Sequence, residues 1–129
     1  MPAKPTKLCL DTEVVLDFFR GDQKTVQKIR QYSQRDILCI TSLTYFELLV
    51  AIRGPEKWDV IKAINNFEIM GLDGEVSVKA SRIYEQLKEA KAQAGLREIL
   101  NAAICTANDA LLFTKNRQAY EGIRGLNFV

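Results

Sequence analysis

The sequence predicts a three-layer α/β/α fold around a mostly parallel sheet of about five strands. Two observations lead there. Short runs that are apolar throughout alternate with longer stretches of helical periodicity, as expected of strands covered on both faces by crossover helices. The length of 129 residues, 47% of them apolar and 26% charged, suits one packed core, so a single domain over residues 1–129 is expected.

Lys7–Leu10 (KLCL) is the first strand, and Asp11-Thr12 turns it into a helix carrying Val14, Val15, Leu16, Phe18 and Phe19 as far as Gly21. Residues 23–34 form a charged surface helix with Val26 and Ile29 on one side. ILCI at residues 37–40 is a second strand, followed by Thr41-Ser42 and a helix over residues 45–52 that Gly54-Pro55 stops. Trp58, Ile61 and Ile64 continue at helical spacing, and FEIM at residues 67–70 is a third strand. Residues 75–94 present Val76, Ala80, Ile83, Leu87 and Ala90 on one face, the longest helix of the chain, closed by Gly95. Leu96–Ala107 is apolar enough to be a buried helix, and its alanines permit close approach to the sheet. Ala110–Phe113 is a fourth strand, residues 115–123 a short polar helix, and residues 126–129 a fifth strand after Gly125.

Composition removes several chemistries. Histidine is absent, which excludes imidazole acid-base catalysis, histidine triads and His-ligated zinc. Cys9, Cys39 and Cys105 lie in apolar runs without CxxC spacing and read as core residues of a reducing cytoplasm. Residues 1–7 hold no apolar stretch suited to a signal peptide, and no run is long enough to span a bilayer, so a cytoplasmic protein without membrane contact is expected. Neither GxGxxG nor GxxxxGK[ST] occurs, which argues against a nucleotide-binding loop. The net charge of +2 neither requires nor excludes RNA.

In a parallel sheet, ligands collect beyond the carboxyl ends of the strands, and the polar residues there are mostly acidic. Asp11 follows the first strand, Glu47 lies in the helix after the second, Glu98 begins the buried helix, and Asn116 follows the fourth strand. Gathered in one pocket, three carboxylates need a cation, and oxygen donors without imidazole or thiolate select Mg²⁺ or Mn²⁺. Such an ion suits phosphodiester hydrolysis by activated water. Each residue also has a structural reading: Asp11 as an N-cap, Thr44-x-x-Glu47 as a capping box, Glu98 as a helix N-terminal acid, Asn116 as a turn former. Glu13, Asp17, Asp73 and Glu75 read as solvated or capping acids, with Glu13 close enough to Asp11 to join through water.

Three segments carry a family resemblance: LCLDTEVVLDFFRGD at residues 8–22, ITSLTYFELLVAI at residues 40–52, and EILNAAICTANDALLFTKN at residues 98–116. Their order and spacing resemble PIN-domain proteins of the VapC toxin type over nearly the whole chain. The resemblance implies a Mg²⁺-dependent endoribonuclease with Asp11, Glu47 and Glu98 as ligands. It also implies a cognate antitoxin partner and a homodimer, for which Phe46, Leu49, Trp58 and Ile61 are candidate surface. The alternative is a PIN scaffold that binds RNA or protein around a degenerate metal site. Glu98 takes the third acidic position, where the family has Asp, because it stands sixteen positions ahead of Thr114; Asn101 is the competing alignment. Ala119 and Glu13 replace a family Asp and Asn, and Asn116 is the candidate to orient water or substrate. Lys115, Arg117 and Arg20 are the basic residues expected to position RNA phosphates.

Overall fold

The computed structural model describes residues 5–129. Residues 1–4, part of the stretch read above for a signal peptide, lie outside the described residues. The elements are β1 (Lys7–Leu10), α1 (Thr12–Phe19), α2 (Gln23–Ser33), β2 (Ile37–Thr41), α3 (Ser42–Ala51), α4 (Glu56–Ile64), β3 (Glu68–Met70), α5 (Gly74–Glu89), α6 (Leu96–Ala107), β4 (Ala110–Phe113) and a 3₁₀ turn at Arg117–Tyr120. All strand pairs are parallel, in the order β3-β2-β1-β4. No helix among the described residues is long and apolar enough to cross a membrane.

Alternation along each strand divides the core into two layers. Leu8, Leu10, Ile40 and Phe113 pack with Val14, Val15, Ile29, Leu48 and Ile64 from the four helices α1 to α4. Cys9, Cys39 and Leu112 point the other way and meet α5 and α6 through Ile83, Leu87, Ala102, Ala103 and Ile104. All three cysteines are buried and free, as their apolar settings predict. Burial on this scale stabilises by roughly 1.5–3 kcal/mol for each large side chain removed from water, which outweighs the weak helix propensity of segments such as α3.

Differences from expectation have local causes. Residues 126–129 make one bridge, Leu112 with Phe128, in place of a fifth strand, because Leu126 turns into the core after Gly125 (φ +81°). Residues 115–123 contract to the 3₁₀ turn. α5 stops at Glu89, where Lys91 enters the left-handed region (φ 55°). α3 begins three residues earlier than its apolar pattern suggests, since the Thr41 side chain caps it by accepting from Thr44 N at 3.1 Å.

The topology fixes where a site can form. From β1 the chain steps outward to β2 and β3, then crosses back through α5 and α6 to place β4 on the other side of β1. The segments leaving β1 and β4 therefore diverge, which opens a crevice at the carboxyl ends of these two neighbours. Asp11 N donates to Phe113 O at 2.9 Å and holds the two ends together there.

Candidate functional site

An open cavity of about 380 Å³ occupies this crevice, with Asp11, Glu47, Glu98, Lys115 and Asn116 among its lining residues. Four elements thus bring the sequence-predicted acids and amide to one place. Asp11 is the N-cap of α1, accepting from Thr12 N at 3.0 Å, and the same side chain lines the cavity. Glu47 lies beyond the first turn of α3 because the helix starts at Ser42; it makes no capping box and its Oε1 stands 2.8 Å from Thr12 Oγ1. Glu98 sits in the first turn of α6. One of its carboxylate oxygens lies 2.6 Å from where a Cβ on Gly95 would stand, so the glycine provides the space this side chain uses.

The centre of the site is a residue that the sequence did not single out. Arg97 Nη2 donates to Asp11 Oδ1 at 2.7 Å, to Glu47 Oε1 at 2.7 Å and to Thr12 Oγ1 at 3.0 Å. Its Nε reaches the same Glu47 oxygen at 3.1 Å, and its Nη1 donates to Tyr120 Oη at 2.8 Å. Glu98 Oε1 stands farther off, 3.9 Å from Nη1. Among the described residues, no three acids, cysteines or histidines are grouped as a ready-made metal cradle. The Arg97 guanidinium bridges Asp11 and Glu47 instead.

Asp11 is saturated on its other oxygen as well. Oδ2 accepts from Thr114 Oγ1 at 2.9 Å and from Tyr120 Oη at 2.8 Å. Behind it, Asn101 Nδ2 donates to Tyr120 Oη at 2.9 Å, and Thr41 Oγ1 donates to Asn101 Oδ1 at 2.6 Å. Burial alone would push the Asp11 carboxyl up, but the Arg97 guanidinium, helped by Tyr120 and Thr114, holds it below the usual carboxylate range. The Tyr120 hydroxyl is pushed up by burial and by the adjacent Asp11 charge, so it remains a donor. Asn101, the competing third position, is fully buried in this network and supports Tyr120 behind the cavity.

The basic residues divide. Lys115 lines the cavity but its ammonium is turned to Asp17 and to Thr25, with Asp22 3.7 Å away. Arg117 donates to the Val129 carbonyl and stacks over Phe128 at 5.2 Å, away from the lining. Arg20 is exposed, outside the cavity lining, with its Nη1 3.8 Å from Asp17 Oδ1. Asn116 is exposed at the rim, its backbone N donating to Thr114 Oγ1. One signal for Arg97 did exist in the sequence: Asn101, a polar residue inside an apolar helix, marks a polar face, and Arg97 lies one turn before it on that face.

Comparison with known proteins agrees with this architecture. The chain is 30% identical over 95 residues to Ribonuclease VapC3 of Methanocaldococcus jannaschii, spanning 74% of this chain and 94% of that protein. It is 23% identical over 119 residues to Ribonuclease VapC1 of the same organism, spanning 92% and 82%. Among solved structures, VapBC2 from Rickettsia felis bound to a promoter DNA fragment superposes with a TM-score of 0.84 at 15% identity, covering 96% of this chain and 98% of that one. The PIN domain family profile matches residues 8–122. With its parallel sheet, its acids at the carboxyl ends of the strands and this match across most of its length, the chain belongs to the PIN-domain family.

Proposed function

We propose that the protein is a divalent-metal-dependent endoribonuclease of the VapC toxin type, with Asp11, Glu47 and Glu98 as the metal-holding acids. The observation that carries this reading is the assembly of those three carboxylates on one open cavity at the switch point of a PIN-family sheet. The donor chemistry fits a hard cation: carboxylate and hydroxyl oxygens, with no imidazole or thiolate among the lining residues. A positive group already lies among the oxygens of Asp11, Thr12 and Glu47, which marks that position as one where this chain stabilises positive charge.

Mg²⁺ or Mn²⁺ bound there would supply Lewis-acid charge to the phosphoryl oxygens and a water acidified enough to attack near neutral pH. Asp11 is the fixed anchor, locked by Thr12 N, Thr114 and Tyr120 so that it cannot rotate away from the cavity. Glu47 and Glu98, on different helices, complete the negative wall. Asn116 at the rim orients water or substrate; of the three basic residues Lys115 lines the cavity and would meet a phosphate once released from Asp17, while Arg20 and Arg117 lie outside the lining and would contact RNA beyond it.

The protein acts with an antitoxin, a reading supported by its likeness in fold to a toxin-antitoxin complex from Klebsiella pneumoniae and to a member of the VapBC family of toxin-antitoxin systems from Mycobacterium tuberculosis. Phe46 (57% exposed) and Trp58 (68% exposed) offer apolar surface for that partner or for a second copy in a homodimer, whereas Leu49 and Ile61 are partly buried.

Incubation of the purified protein with structured RNA and Mg²⁺ tests the reading. Cleavage at millimolar Mg²⁺, slowed at least about a hundredfold by Asp11→Asn, is expected, since electrostatic groups at a reacting centre are commonly worth that much. Equal cleavage by the two proteins overturns it. A second reading, a scaffold that binds without cutting, is favoured by Arg97 standing between the acids; it predicts no cleavage at any Mg²⁺ concentration.

A further inference from the structure

We propose that Arg97 is a built-in occupant of the cation position: its guanidinium keeps a divalent ion out from between Asp11 and Glu47, and metal enters only when this side chain swings away. The inference rests on the reading of Asp11 and Glu47 as metal ligands and adds a competitor carried by the chain itself. Its basis is the placement of Nη2, within 3.0 Å of oxygens from Asp11, Thr12 and Glu47. Two cations cannot share that position, because each would repel the other at contact distance while competing for the same lone pairs.

Exchange must be a swap rather than a simple departure. Asp11 is buried, and a buried carboxylate without a positive partner is strongly disfavoured. Arg97 therefore stays until another cation takes over the charge. Two features make the swap accessible. The Arg97 side chain is 29% exposed and lies on an open cavity, so a path to solvent exists. It is also the second residue of α6, where the positive end of the helix dipole disfavours a cation, so its present position depends on the carboxylates facing it. Once Asp11 and Glu47 are neutralised by metal, the guanidinium loses its two close carboxylate partners and keeps only the neutral Tyr120 hydroxyl and the more distant Glu98, 3.9 Å from Nη1. Swung outward, Arg97 remains at the rim, where its planar fork suits a substrate phosphate.

The test is equilibrium binding of Mn²⁺, followed by the loss of the free-ion resonance in electron paramagnetic spectra, for the unaltered protein, Arg97→Ala, Arg97→Lys and the Asp11→Asn/Arg97→Ala double variant. Arg97→Ala is expected to bind at least about tenfold more tightly than the unaltered protein, within the usual range for coupled sites. Arg97→Lys should fall between them, and the double variant should lose the gain. A second measurement needs no substitution: the Arg97 side-chain Nε–H signal in NMR spectra should be protected from solvent exchange without metal and lose that protection over the range where Mn²⁺ or Mg²⁺ binds. Equal Mn²⁺ affinity for the unaltered protein and Arg97→Ala, or an Arg97 signal that stays protected while metal binds, overturns the competitor and leaves the metal ligands standing. No Mn²⁺ binding by any of the proteins overturns both.

Discussion

At the start of β1, Lys7 Nζ stands 2.8 Å from Glu68 Oε1; just past its end, Arg97 Nη2 stands 2.7 Å from Asp11 Oδ1. The two cations are equally exposed, each at 29%. The acids are not: Glu68 is 41% exposed and Asp11 9%. Water can replace Lys7 as the partner of Glu68, so that pair is worth little, whereas water reaches Asp11 poorly and its charge must be met by protein or by metal. Burial of the anion, rather than the length of the contact, turns one end of the strand into a site that demands a cation and leaves the other as ordinary surface.

Removing Arg97 should therefore have the largest effect on the metal-free protein. Arg97→Ala is expected to lower unfolding free energy by about 3 kcal/mol in urea titrations, since it strands a buried carboxylate. Millimolar Mg²⁺ should restore much of that loss, because a ligand that binds only the folded state stabilises it. A loss as small as that of a surface pair would dissolve the contrast between the two ends.

Tyr120→Phe comes next. It deletes one donor to Asp11 and strips Arg97 and Asn101 of a common acceptor, and should cost about 1–3 kcal/mol by the same titration. Acid should then expose Asp11. Its carboxyl titrates lower folded than unfolded, so the unfolded chain takes up the proton first as pH falls. Its stabilisation is complete above the unfolded value of about 3.9 and is lost as pH drops through the lower folded value. The acid limb of a stability-pH curve should flatten in Asp11→Asn and change less in Glu68→Gln. The smallest effect belongs to Lys7→Ala, below about 1 kcal/mol and reduced further by salt.

Much of this was legible in the residues. The apolar runs LCL, ILCI and ALLF with helices between them indicated the parallel sheet, and Asp11 at a strand end in such a sheet indicated the crevice. What stayed hidden was direction. Glu98 and Arg97 are neighbours about 100° apart on α6, and only the docking of that helix decides which side chain lies between Asp11 and Glu47. Tyr120 was equally silent, since its hydroxyl meets Asp11 across 109 residues of sequence. Lys115 illustrates the reverse case: its position beside the cavity was foreseen, but Asp17 and Thr25, far from it in sequence, take its ammonium.

Crystals of the unaltered protein and of Arg97→Ala, soaked in a low concentration of Mn²⁺ and measured at the manganese absorption edge, test the central claim most directly. An anomalous peak beside Asp11 and Glu47 in the variant, with the intact guanidinium and no peak in the unaltered protein, is the predicted result. Manganese bound between the two acids while Arg97 still holds Asp11 would contradict it.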